Sequence, residues 1–255
     1  MEELAFRIEA VLLVSLRIVP TLAFAPPFTL LRLPVPIRLL LALALAMALV
    51  AGNPEAALGA LRQGQSLLSL ASGELLVGVA ISLALQIAFS AIQWAGGAAD
   101  IQAGFGLATI ADPTTQAQMP LAGTVFSYAA ALIFFTSGGP YDLLALWSAS
   151  LEALPVGHGV RSGDMAALGA LLGSAFAIAM GLFALVMLVL FLLDLAIAFM
   201  SRTLPQMNML LLGFQVKSLA MLVALPVALA LSTSLSLRLL RLALESAPRL
   251  LWAGG

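Results

Sequence analysis

Charged residues in this chain stand so far apart that they mark the borders of long apolar windows. Residues 75–99, between Glu74 and Asp100, carry no charge, and neither do 113–141, 165–193 and 218–237. A helix that crosses a bilayer needs about 20 predominantly apolar residues, and each of these four windows supplies them. Two N-terminal windows are weaker: Val11–Leu31 contains Arg17 and Pro26-Pro27, and Leu39–Ala51 is short. The pattern predicts an all-α integral membrane protein with about six hydrophobic helices.

Helix breakers fall between the windows. Arg32-Leu33-Pro34-Val35-Pro36 separates the first two, because a proline inside a regular helix removes a hydrogen bond and clashes with the preceding turn. Gly52-Asn53-Pro54-Glu55 closes the second and Gly138-Gly139-Pro140 the fourth, while Leu154-Pro155-Val156-Gly157-His158-Gly159 opens a loop that reaches Asp164. Pro226, inside the last window, is expected to kink it. Glu74 and Asp100, at the ends of theirs, are expected to be solvated helix termini. The chain shows no internal repeat and reads as one integral unit. Met1-Glu2-Glu3-Leu4 is acidic where a signal peptide is basic, so the first apolar stretch is expected to be retained.

Composition strengthens the membrane reading. Hydrophobic residues make up 62% of the 255 and charged residues 9%, against about 45–50% apolar and 25% charged in an ordinary soluble domain. A sphere of this size cannot hide so much apolar side chain from water, so lipid or partner protein must cover it. With no Cys, disulfides, thiolate metal sites and thiol nucleophiles are excluded, and the single His158 is too little for a multi-histidine centre. A net charge of −1 leaves no electrostatic footprint for nucleic acid.

The basic residues orient the chain only weakly. Arg32, Arg38, Arg202 and Lys217 follow segments 1, 3 and 5, whereas Arg7, Arg17, Arg62, Arg161, Arg238, Arg241 and Arg249 lie on the other side. That bias leans toward a cytoplasmic N-terminus, and its weakness suits helices inserted into a larger assembly.

Ionisable groups at membrane depth are functional candidates, and Asp194 is the main one. It either pairs with Arg202 or Lys217 or lies at an interface, or else it serves a proton relay or a substrate contact. Two further segments are too polar and too broken for so apolar a chain. Gly104-Phe105-Gly106 leads through Asp112-Pro113 to Met119-Pro120, and irregular backbone near membrane depth is tolerated only against protein or a water-filled cavity. Pro205-Gln206-Met207-Asn208 precedes Gly213-Phe214-Gln215-Val216-Lys217, and Gln206 and Asn208 need partners that lipid does not offer. Taken alone, the first reads equally as an ordinary wet loop, and the second reads as a polar hairpin tip. Catalysis finds little footing: Gly173-Ser174 lacks a histidine at its depth, no phosphate-binding loop occurs, and Gly96-Gly97 reads as close helix packing.

Taken in order, these segments resemble the FliR/SctT family of type III export-gate proteins. The likeness begins with Arg17-Ile18-Val19-Pro20, Pro26-Pro27 and Val35-Pro36-Ile37-Arg38, then Glu74-Leu75-Leu76-Val77-Gly78 and Ala95-Gly96. It continues through Asp112-Pro113 and Pro120, Phe134-Phe135 with Gly138-Gly139, and Leu154-Pro155-Val156-Gly157. The most specific match is Pro205-Gln206-Met207-Asn208 with Gly213-Phe214-x-x-Lys217, similar to the family's P-Q-[ML]-N and G-F-P-x-K. Gly97, Ser137-Gly138-Gly139-Pro140 and Gln215 depart from the family's acid, Asn-Gly-His and proline.

The resemblance implies a non-enzymatic subunit without a cofactor, in the bacterial inner membrane within the flagellar basal body. Its implied fold is a FliP-like unit (1–163) joined to a FliQ-like helical hairpin and tail (164–255), with irregular loops buried in protein. Its implied partners are FliP-like, FliQ-like and FlhB-like subunits, the basal-body ring, exported proteins and lipid, with no nucleic acid. By the same resemblance Gly104, Phe105, Gly106, Asp112, Pro113, Met119 and Pro120 belong to a pore plug. Pro205, Gln206, Asn208, Gly213, Phe214 and Lys217 form an assembly or channel motif. The alternatives are a virulence-type SctT export-gate subunit and a small multi-helix permease using Gln86, Gln93, Asp100 and Asp194.

Overall fold

Proline and glycine set the helix borders in the computed structural model, which describes residues 2–63, 65–105, 120–158, 165–203 and 208–251. Among the described residues there are nine helices and no strand: α1 (Glu2–Phe24), α2 (Val35–Gly52), α3 (Pro54–Arg62), α4 (Leu67–Ala103), α5 (Leu121–Thr136), α6 (Gly139–Ala153), α7 (Met165–Thr203), α8 (Met209–Leu231) and α9 (Thr233–Leu251). Pro36 lies in the first turn of α2 rather than outside it, and Pro54 opens α3. In the first turn a proline costs no hydrogen bond, because that N–H has no intrahelical acceptor. Gly138, at φ 90°, separates α5 from α6 in a left-handed conformation that suits a residue without a Cβ. Asn208 opens α8, its side-chain oxygen accepting from the Leu211 N–H at 3.3 Å. Pro226 lies inside α8 without ending it.

Among the described residues four helices are long and apolar enough to cross a membrane: Val35–Gly52, Leu67–Ala103, Met165–Thr203 and Leu211–Leu231. The pair α5 and α6, broken at Ser137-Gly138, makes a fifth if it is counted as one span. The first expected window, Val11–Leu31, begins in α1, which also carries Glu2, Glu3, Arg7, Glu9 and Arg17 and is not among these spans. At 37 and 39 residues, α4 and α7 are roughly 55–60 Å long, nearly twice the ~30 Å hydrocarbon layer. They must tilt or continue beyond it. Much of the apolar surface of α7 and α8, including Leu188, Phe191, Leu192, Leu219 and Val223, is exposed and calls for lipid or protein cover.

The chain divides into two units, of residues 1–88, 134–173 and 240–255, and of residues 89–133 and 174–239. In the first, α1 packs on α2 and α3, and Phe28 meets the edges of Phe134 and Phe135 with ring centroids 6.0 and 5.8 Å apart. The Arg17 guanidinium is buried there, with Nε 2.7 Å from Glu74 Oε2 and Nη2 3.0 Å from Oε1. Its remaining donors reach Ser150 Oγ at 3.2 Å and the Leu154 carbonyl at 2.8 Å. One cation thus ties α1 to α4 and to the end of α6.

The expected wet terminus at Glu74 is therefore corrected. α4 begins seven residues earlier, at Leu67, and Glu74 is buried, a place its carboxylate tolerates because Arg17 satisfies both oxygens. Gly78, one turn on, lets α1 approach: a Cβ there would stand 2.5 Å from the Arg17 carbonyl oxygen. Ser82 then donates to the Pro20 carbonyl at 3.2 Å, and Gln86 donates to Ser82 at 2.8 Å. Residues 74, 78, 82 and 86 fall four apart, so they line one face of α4.

Candidate functional site

The two segments singled out in the sequence meet in the second unit. α4 ends at Ala103, and Gly104 follows at φ 94°. The Gly104 N–H donates to the Ile101 carbonyl at 3.0 Å and the Phe105 N–H to the Asp100 carbonyl at 2.9 Å. This pair of bonds is the glycine-terminated helix end that satisfies otherwise orphaned carbonyls. A Cβ on Gly104 would stand 2.5 Å from Phe214 Cδ2, so the glycine is needed for the ring as well as for φ. Next to it, Ser218 Oγ donates to the Ala103 carbonyl at 3.3 Å.

The Gly213-Phe214-x-x-Lys217 stretch presents two faces. Phe214 and Ser218, one turn apart on α8, brace the end of α4. Gly213 and Lys217, also one turn apart, face α7. A Cβ on Gly213 would lie 3.3 Å from Ile197 Cδ1, and Lys217 Nζ is 2.9 Å from Asp194 Oδ1. Asp194 thus has one of the two cations the sequence offered. Both side chains are partly exposed, so the pair contributes modestly to stability and mainly orients α8 on α7. Gln215, where the family pattern has proline, is exposed.

At the other end of the segment, Pro120 stands before α5, and a Cβ on Gly97 would touch its ring at 3.6 Å. Gly96 and Gly123 bring α4 and α5 into backbone contact: a Cβ on Gly96 would fall on the backbone of Gly123. Gln93 donates to Ser127 at 2.8 Å one turn along each helix. Asp100, also expected to be a wet terminus, is 6% exposed. Both of its carboxylate oxygens lie 3.3 Å from the Ala122 N–H in the first turn of α5, where a helix favours an anion. Both ends of the segment are therefore held in protein.

Gly106, Asp112, Pro113 and Met119 of the expected plug lie outside the described residues, as do Pro205 and Gln206. Gly104, Phe105 and Pro120 lie at its ends. Asn208, Gly213, Phe214 and Lys217 lie on or beside α8 as described above. Among the described residues no group of three or more His, Cys, Asp or Glu side chains could hold a metal ion. Sequence reasoning missed the Arg17–Glu74 pair and the capping role of Asp100. A signal was present in the four-residue rhythm of Glu74, Gly78, Ser82 and Gln86 on an otherwise apolar helix.

The sequence pattern of the bacterial export proteins, family 1, matches residues 8–243. The chain belongs to this family. The chain is 34% identical over 159 residues to the flagellar biosynthetic protein FliR of Bacillus subtilis (strain 168), covering 58% of this chain and 59% of that protein. It is 30% identical over 146 residues to the FliR of Escherichia coli (strain K12), covering 57% and 56%. To the secretion system apparatus protein SsaT of Salmonella typhimurium (strain LT2) it is 30% identical over 165 residues, covering 63% and 62%. The chain thus spans 56% to 62% of the length of these relatives. Within the family match lie Arg17, Glu74, the ends of the Gly104–Pro120 segment and the whole of Gly213–Lys217.

Proposed function

We propose that this export protein is the FliR-type subunit of a flagellar type III export gate, a non-enzymatic part of the channel through which flagellar proteins cross the inner membrane. The observation that carries this reading is the family match over residues 8–243, laid over a segment, 104–120, whose two described ends pack in protein. In this reading FliP-like and FliQ-like subunits cover the exposed apolar faces of α7 and α8, and a FlhB-like subunit and the basal-body ring complete the assembly. Residues 1–163 take the FliP-like role and 164–255 the FliQ-like role. The segment Gly104–Pro120 is the plug of the closed channel, and Pro205–Asn208 with Gly213–Lys217 hold it in the assembly. No cofactor enters the mechanism: it is the positioning of backbone and side chains around a protein-sized path.

A virulence-type gate is the second reading, supported by the likeness to SsaT. Deleting the reading frame and assaying secretion separates the two. The flagellar reading expects complete loss of filament assembly and motility, restored by the gene in trans. Motility unchanged, with loss of a virulence-type secreted set, selects the SctT role. Wild-type secretion of both kinds contradicts an export-gate function altogether.

A further inference from the structure

One residue is bonded to the backbone on both sides of the Gly104–Pro120 segment. The Asp100 backbone carbonyl accepts from Phe105, the second residue past α4, at 2.9 Å. Its carboxylate accepts from Ala122, the second residue of α5, with both oxygens at 3.3 Å. Asp100 is buried, and among the described residues its partners are backbone groups rather than a cation. The surroundings suit this use. Gly96, four residues earlier on α4, admits the Gly123 backbone, and Gly97 lies beside the Pro120 ring. The carboxylate consequently lies at the α5 N-terminus, where free N–H groups and the helix dipole favour it.

We propose that Asp100 is a clasp, a positioning residue that pins the departure and the return of this segment to a single point on α4. The two halves of the clasp are chemically separate. The departing stem is held by backbone bonds, with Phe214 and Ser218 behind it, and does not depend on the Asp100 side chain. The returning stem hangs on the carboxylate. Loss of the side chain should therefore free the α5 end alone. A residue serving only general packing would loosen both stems, or the whole unit.

The absence of native cysteine allows this asymmetry to be read directly. Ala103, Ala122 and Ala130 are all fully buried, so each is replaced singly by cysteine in the assembled complex and its maleimide labelling rate is measured. Asp100→Ala is expected to raise labelling at Ala122→Cys by roughly tenfold, the scale of one hydrogen bond to a charged group. Labelling at Ala103→Cys and at the mid-helix control Ala130→Cys stays at its starting rate. Asp100→Asn, which keeps a side-chain carbonyl as acceptor, holds the increase to a few-fold. An unchanged rate at Ala122→Cys overturns the clasp, and so does a parallel rise at Ala130→Cys.

The consequence for the channel rests on the plug reading and is measured separately. Asp100→Ala should raise small-ion leak across the membrane, toward the level of a chain lacking residues 106–119. If the deletion itself does not leak, the plug reading fails while the labelling result still decides the clasp. If the deletion leaks and Asp100→Ala labels faster at Ala122→Cys without leaking, the clasp stands as geometry and its role in closure is overturned.

Discussion

Replacing Arg17 by methionine is expected to remove about 3–5 kcal/mol of stability, because it leaves the Glu74 carboxylate buried without its cation. Both side chains are 1% exposed, so water cannot stand in for the missing partner. Glu74→Gln should be comparably harmful for the mirrored reason, since it leaves a guanidinium in an apolar interior. The double change Arg17→Met with Glu74→Leu should recover much of the loss, because it removes both charges at roughly conserved volume. Recovery stops short of complete. The Leu154 carbonyl loses the donor it has at 2.8 Å, at about 1 kcal/mol or more for an unsatisfied buried acceptor. Ser150 still donates to the Trp147 carbonyl at 2.7 Å. Membrane-resident protein level and the thermal midpoint of the purified complex report these differences. Single variants as stable as the parent, or a double variant whose losses simply add, would show that the two residues are not energetically coupled.

The second large effect concerns a single methyl group. Gly96→Ala puts a Cβ onto the backbone of Gly123, and backbone cannot turn aside as a flexible side chain can. The helices α4 and α5 must separate, which breaks the Gln93–Ser127 hydrogen bond and draws Ala122 away from Asp100. A loss of about 2–3 kcal/mol is expected, toward the upper end of overpacking costs. Gly59→Ala in α3 is the matched control, because a Cβ there meets nothing within 4 Å. That change should be neutral or stabilising by up to about 1 kcal/mol, the helix-propensity difference between the two residues. Gly96→Ala should therefore unfold at a lower temperature than the parent, and Gly59→Ala at an equal or higher one. Equal midpoints would mean that the helices accommodate the methyl group and that the crossing at Gly96 is not close-packed.

The class of fold was legible because windows as apolar as 165–193 have few structural solutions in water or lipid. Helix borders at Gly52-Asn53-Pro54 and Gly138-Gly139-Pro140 were legible too, because glycine and proline act through the backbone regardless of tertiary context. The fate of the charged residues was not. Glu74 and Asp100 look like window ends on a hydropathy count, yet α4 continues to 67 on one side and to 103 on the other. A carboxylate inside a helix is indistinguishable from one at its end until its partner is known. Arg17 lies 57 residues from Glu74, a distance over which local patterns carry no information. The contact of Phe214 with Gly104 was hidden for the same reason. Each motif was visible alone as a polar break, and only the packing of α8 against the end of α4 makes them one site. Asp194 was the tractable case, since two cations were nearby in sequence and a buried or half-buried charge must find one.

Affinity purification of the tagged chain from its native membranes, followed by identification of what co-elutes, tests membership of an export gate most directly. The expected result is a single large species containing FliP-like and FliQ-like chains, with the exposed apolar faces of α7 and α8 protected from lipid-soluble labels. A long-lived monomer or homo-oligomer in mild detergent, carrying neither partner and labelled along those faces, would contradict it.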